Sequence, residues 1–199
     1  ETGLVFPIIS LSIYILFYKN KNFSIVSFCA IIPILIFIAL LVFIMLALGY
    51  TFLFMDSGQN KLAVITLHKS IGLVVLFFVS LRLIWRLLNV QPSRSELSAL
   101  EKVLVNFVQW LFYLALFVMP ISGMIYSFSK GYPVSFFGLF NIPNIIEKNS
   151  VVANITQNVH FYISLIITCL IIVHTFAAFR HHFYKKDNYL KRILPFTKN

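Results

Sequence analysis

The sequence predicts an all-α integral membrane protein, a four-helix bundle with an additional N-terminal apolar segment. Three observations predict it. Of the 199 residues 60% are hydrophobic and only 11% charged, and the mean hydropathy is +0.91. Several apolar runs approach the roughly 20 residues that a helix needs to cross a bilayer. None of them shows the polar–apolar alternation of a transmembrane barrel, so helices are the remaining way to satisfy the backbone within lipid.

The elements follow in order. Leu4 to Tyr18 is apolar but short and carries Pro7, which suits an interfacial segment or the end of a spanning helix. Residues 1–22 are set apart as this segment and 23–199 as one four-helix domain. The spanning runs are expected at about Ser24–Phe54, Leu62–Leu88, Val103–Phe128 and Asn158–Phe179. Pro33 lies near the start of the first, where a proline is tolerated in a first turn and kinks the helix if deeper. Between the third and fourth runs, Ser129 to Gln157 holds Gly131, Pro133, Gly138 and Pro143 and reads as a turn-rich loop. Phe136, Phe137 and Phe140 are expected to pack that loop down as a lid. Asn154-Ile-Thr156 matches a glycosylation sequon, a motif short enough to arise by chance.

Charge gives orientation. One set of connections carries Lys19, Lys21, Arg86, Arg94, Lys102, Arg180 and the basic tail after it, while the other carries only Lys61, Lys130 and Lys148. The richer side, with the C-terminus, is expected on the cytoplasmic or matrix side of a bacterial or mitochondrial inner membrane. The net charge of +10 is thereby a membrane signature, and no soluble basic domain is present to bind nucleic acid. Cys29 and Cys169 both fall in apolar runs and read as buried small hydrophobes rather than a disulfide. Phosphate-cradling glycine loops, zinc spacing and Ser/His/Asp sets are lacking, so hydrolase and nucleotidase readings have no support.

The chemistry lies in the histidines. His68, His160 and His174 sit inside spanning runs, where an ionisable group is costly without a partner. Histidine is a common axial ligand of haem iron. His160 and His174 are 14 residues apart, about 21 Å of helical rise and close to four turns, so they share one face at two depths. His68 and His160 both follow an outer entry point and lie at similar depth. They are read as the ligands of one haem b, against the plain alternative of two hydrogen-bonded histidines. His174 lies near the inner surface and either ligates a second haem or bonds a backbone carbonyl. The first run has no histidine to join it, and Cys29 is the conventional ligand type near that level. His181 and His182 suit a quinone head-group site, a propionate clamp or an interfacial cluster on anionic lipid. Arg82 and Arg86, one turn apart, either pair with haem propionates or anchor the helix end. Lys69 and Lys130 are the cations nearest the outer haem level, placed either to attract an anionic substrate or simply to be solvated.

On these residues the sequence resembles the bacterial cytochrome b561 family, including its superoxide oxidase type. The ordered set is Leu67-His68-Lys69-Ser70-Ile71-Gly72, Arg82-Leu-Ile-Trp-Arg86, Tyr113 to Gly123 with its Pro120–Gly123 step, Lys130-Gly-Tyr-Pro133, Phe137-Gly138, the His160/His174 spacing and the tail Arg180 to Pro195. The resemblance covers about Lys61 to Pro195. It implies four helices, two b haems and electron passage between an outer donor, superoxide in that type, and membrane ubiquinone. It implies that His68 and His160 hold the outer haem and that His174 pairs with a first-helix histidine. Here that histidine is missing, for Ile31 and Ile32 stand at the family's His-Trp pair. Asn106 and Gln109 stand where some members have third-helix histidines. The departure on an axial ligand also fits a member recruited as a haem-bearing or structural subunit of a larger respiratory complex.

Overall fold

A computed structural model describes residues 25–89, 98–180 and 183, with side chains from Pro33 onward. Four long helices dominate: α1 (Ile25–Leu53), α2 (Gln59–Leu88), α3 (Ala99–Ser129) and α4 (Ser150–Phe179), with a short hairpin of β1 (Val134–Phe136) and β2 (Phe140–Ile142) between α3 and α4. All four are long and apolar enough to cross a membrane. The expected four-helix membrane bundle is therefore what forms.

Local chemistry sets the ends. Ser98 accepts from the Glu101 amide while the Glu101 carboxylate accepts from the Ser98 amide, a capping box that starts α3. Asn149 caps α4 by accepting from the amides of Val151 and Val152. That cap starts α4 at Ser150, eight residues before the expected boundary. The shift also places Asn154-Ile-Thr156 inside a helix, where Thr156 Oγ1 donates to the Val152 carbonyl, rather than in a surface loop. Pro33 is the ninth residue of α1, past the first turn.

The helices pack α1 on α2, α2 on α3 and, most extensively, α3 on α4; α4 has no comparably close approach to α1 or α2. Consecutive helices run antiparallel, so α2 and α4 run parallel. Ile38, Val42, Ile71, Val75, Val79, Ala115 and Ile167 form the core. Most other large apolar side chains lie outward. In lipid this is expected, because helices associate through close packing rather than by hiding apolar surface. Cys169 is also exposed, against expectation. It stands two residues beyond buried Ile167, which turns it about 200° away from the core.

The loop expected between α3 and α4 contains more order than turns alone. β1 and β2 pair antiparallel, Val134 with Ile142 and Phe136 with Phe140. Phe137 and Gly138 both have positive φ, 50° and 75°, and the Leu139 amide bonds the Phe136 carbonyl, as a type I′ turn requires. The hairpin is strapped to the bundle through fully buried Ser70. Its hydroxyl accepts from the Phe137 amide at 2.8 Å and lies within donating distance of the Thr66 and Ser135 carbonyls. At the other end of the loop the Asn149 amide bonds the Ser129 carbonyl, tying the start of α4 to the end of α3. Phe136 stacks on Phe140 at 5.1 Å and meets Phe137 edge-on at 4.9 Å.

Candidate functional site

His68 is the tenth residue of α2 and His160 the eleventh of α4. Parallel helices thus carry them to one level, and their ring centroids lie 6.1 Å apart with planes at 66°. Two imidazoles facing each other across one metal, with bonds of about 2 Å, would stand roughly 6.3 Å apart. The separation fits one bound metal and is too long for a direct hydrogen bond between rings in that facing arrangement.

The surroundings of His160 decide its protonation. Nδ1 lies 2.8 Å from the Met119 carbonyl. A carbonyl only accepts, so Nδ1 carries the hydrogen and, in the neutral ring, Nε2 keeps the free lone pair that a metal needs. Ser122 Oγ lies 3.3 Å from the same nitrogen and itself donates to the Met119 carbonyl at 2.9 Å. Gly123 makes the approach sterically feasible: a Cβ there would lie 2.9 Å from His160 Cε1 and 3.1 Å from Nδ1. Sequence reasoning did not single out Met119 or Ser122; the small Ser122-Gly123 pair within an apolar helix was the available signal.

His68 differs. Its Nδ1 is buried without a hydrogen-bond partner among the described residues. Gly49 of α1 lies against its ring, with room for a Cβ at 3.5 Å. That nitrogen therefore lies on the α1 side of the ring, and the ring itself stands 6.1 Å from the His160 imidazole.

Lys69, next to His68, donates to Ser127 Oγ at 2.7 Å and reaches the Pro133 carbonyl at 3.5 Å. It is therefore anchored to the strap rather than freely solvated, and it sits within the hairpin end of the bundle. Lys130, at the C-terminus of α3, lies over the Tyr126 ring at 6.0 Å.

The other sequence candidates lie near the opposite end. Arg82 and Arg86 follow His68 by 14 and 18 residues, about 21 and 27 Å along the helix. Arg86 is buried, donates to Gln109 Oε1 at 2.7 Å, and lies over the rings of Trp110 and Tyr113. Arg82 Nε and Nη1 are buried without partners among the described residues. His174 is exposed and meets Phe112 edge-on at 5.8 Å. The structure brings His68 and His160 together and leaves His174 apart from both. His181, His182 and residues 1–22 lie outside the described residues, as do the side chains of Cys29, Ile31 and Ile32.

A family model for the prokaryotic cytochrome b561 matches residues 36–196. The chain belongs to the prokaryotic cytochrome b561 family. Among curated relatives, "Cytochrome b561 homolog 2" of Escherichia coli K12 is 32% identical over 160 residues, covering 78% of this chain and 84% of the relative. "Probable superoxide oxidase CybB" of Yersinia pestis is 27% identical over 130 residues, 65% of this chain and 73% of its own. "Cytochrome b561 homolog 1" of E. coli K12 is 28% identical over 132 residues, covering 66% and 74%. The chain is accordingly an integral membrane protein of an electron-transfer family, and membership of that family implies b-type haem.

Proposed function

We propose that this cytochrome b561 carries one haem b between His68 and His160 and passes electrons from an outer, anionic donor to membrane quinone. The observation that carries the reading is the opposed imidazole pair at 6.1 Å, one ring of which has its tautomer set by the Met119 carbonyl. The haem supplies reversible one-electron chemistry, and the protein supplies position, dielectric and access. Both rings are half-buried among the helices, and the hairpin is tied to α2 two residues from His68, which limits water at the site.

Superoxide is the donor class that the name of the Yersinia relative suggests. Lys69 keeps a cation one residue from His68 at the hairpin end, and Lys130 adds a second cation at the end of α3. Such charges raise the local concentration of an anion. Two superoxide ions, each losing one electron and leaving as dioxygen, would with two protons convert one quinone to quinol. In this reading the hairpin end faces outward, as the charge rule suggests, and the acceptor site lies within the membrane.

A second reading rests on the absence of histidine from α1 and the exposure of His174. It makes the chain a subunit of a larger respiratory complex, with little activity alone. Purification settles the choice. A standalone oxidase retains about one haem per chain by pyridine haemochrome and reduces quinone when given superoxide. A recruited subunit co-purifies with partners and fails that assay. Loss of the b-type spectrum in both His68→Ala and His160→Ala is the expected result, and an unchanged spectrum in either overturns the ligand assignment.

A further inference from the structure

The 6.1 Å contact of His68 with His160 fixes the register between α2 and α4: 160 − 68 = 92. The same offset relates Arg82 to His174, since 174 − 82 = 92. Contacts through α3 agree, because Arg86 reaches Tyr113 while His174 meets Phe112. One level further along α2, about 21 Å from the histidine pair, the helix therefore presents a guanidinium where the upper level presents an imidazole.

A guanidinium stays protonated and has no lone pair, so it cannot ligate a metal. What this level offers instead is donors. Arg82 Nε and Nη1 and Trp85 Nε1 are all buried and have no acceptor among the described residues. Arg86, one turn on, is held in place by Gln109, Trp110 and Tyr113, so its charge stays beside Arg82. Buried cationic donors left unmade at membrane depth are expensive, and an oxyanion would satisfy them.

We propose that Arg82, Trp85 and Arg86 of α2 form an oxyanion site, filled by the phosphate of an anionic membrane lipid, at the end of the bundle where His174 lies. Arg82 lies six residues before the end of α2, about 9 Å along its axis, within reach of a headgroup entering from the near membrane surface. The guanidinium N–H groups donate to phosphate oxygens in parallel, the indole N–H adds a neutral donor, and two fixed positive charges select a lipid of net negative charge over a zwitterionic one.

The test uses the purified haem-loaded protein in detergent. Native mass spectrometry would follow retention of phosphatidylglycerol, phosphatidylcholine and inorganic phosphate by the wild type, Arg82→Gln and Trp85→Phe. Expected is selective retention of phosphatidylglycerol, reduced roughly tenfold in Arg82→Gln and less in Trp85→Phe, which keeps the ring and loses only the donor. An unchanged haem spectrum in both variants shows that they fold and separates this site from the histidine pair. Equal retention by wild type and both variants overturns the proposal. Phosphate matching the lipid supports the oxyanion site and overturns lipid as its source. A second haem per chain that is lost in Arg82→Gln would assign the donors to a cofactor carboxylate and also overturn it.

Discussion

His160 Nδ1 donates to the main-chain carbonyl of Met119 across 2.8 Å, so a residue of α3 sets which nitrogen of an α4 imidazole remains free. Ser122 bonds the same carbonyl, and Gly123 leaves the space that the ring fills. One turn of α3 thus builds the seat of His160.

The seat makes a steric prediction. Gly123→Ala would drive a Cβ to within 2.9 Å of His160 Cε1, closer than side chains tolerate, whereas Gly49→Ala would meet His68 Cε1 at an ordinary 3.5 Å. Gly123→Ala is expected to lower haem content or shift the reduced-minus-oxidised spectrum and to lower stability by about 1–3 kcal/mol. Gly49→Ala should leave both nearly unchanged. Equal effects of the two substitutions would remove this account of the seat.

The strap makes an energetic one. In Ser70→Ala the Phe137 amide loses its partner on the bundle, an expected loss of about 1 kcal/mol. Phe137 is also held at φ 50°, a conformation unfavourable for a bulky side chain, so the turn should open first. Hydrogen exchange at the hairpin amides is the check, with faster exchange there and little change in the core of α3.

Lys69 and Lys130 differ in placement and should differ in effect. Lys69→Gln removes a cation beside His68 and weakens contacts to Ser127 and Pro133, so reaction with superoxide should slow several-fold and depend less on ionic strength. Lys130→Gln, altering a charge at the helix end over Tyr126, should slow it less. Stopped-flow rates across a salt series measure both. An unaltered salt dependence in Lys69→Gln argues against steering by this residue.

His174→Phe tests the number of haems. Exposed, in contact with Phe112 and about 21 Å along α4 from His160, His174 should be replaceable without changing haem per chain or the spectrum. A fall from two haems to one would mean that it has a ligand partner among the residues outside the description.

The four spanning runs and the shared level of His68 and His160 were legible in the sequence, because hydropathy over about 20 residues and a 3.6-residue period are local properties. The α4 boundary was less legible, for its start rests on one cap, Asn149, inside a loop rich in other turn residues. The exposure of Cys169 depended on which side of α4 faces a neighbour, something a uniformly apolar helix does not declare. By itself the sequence determined a helical membrane protein with two histidines at one level. Only the tertiary structure decided that the Met119 carbonyl accepts from His160, that Ser70 straps the hairpin, and that Gln109 of α3 holds Arg86. Each of these joins residues distant along the chain, and helix packing alone sets the register that brings them together.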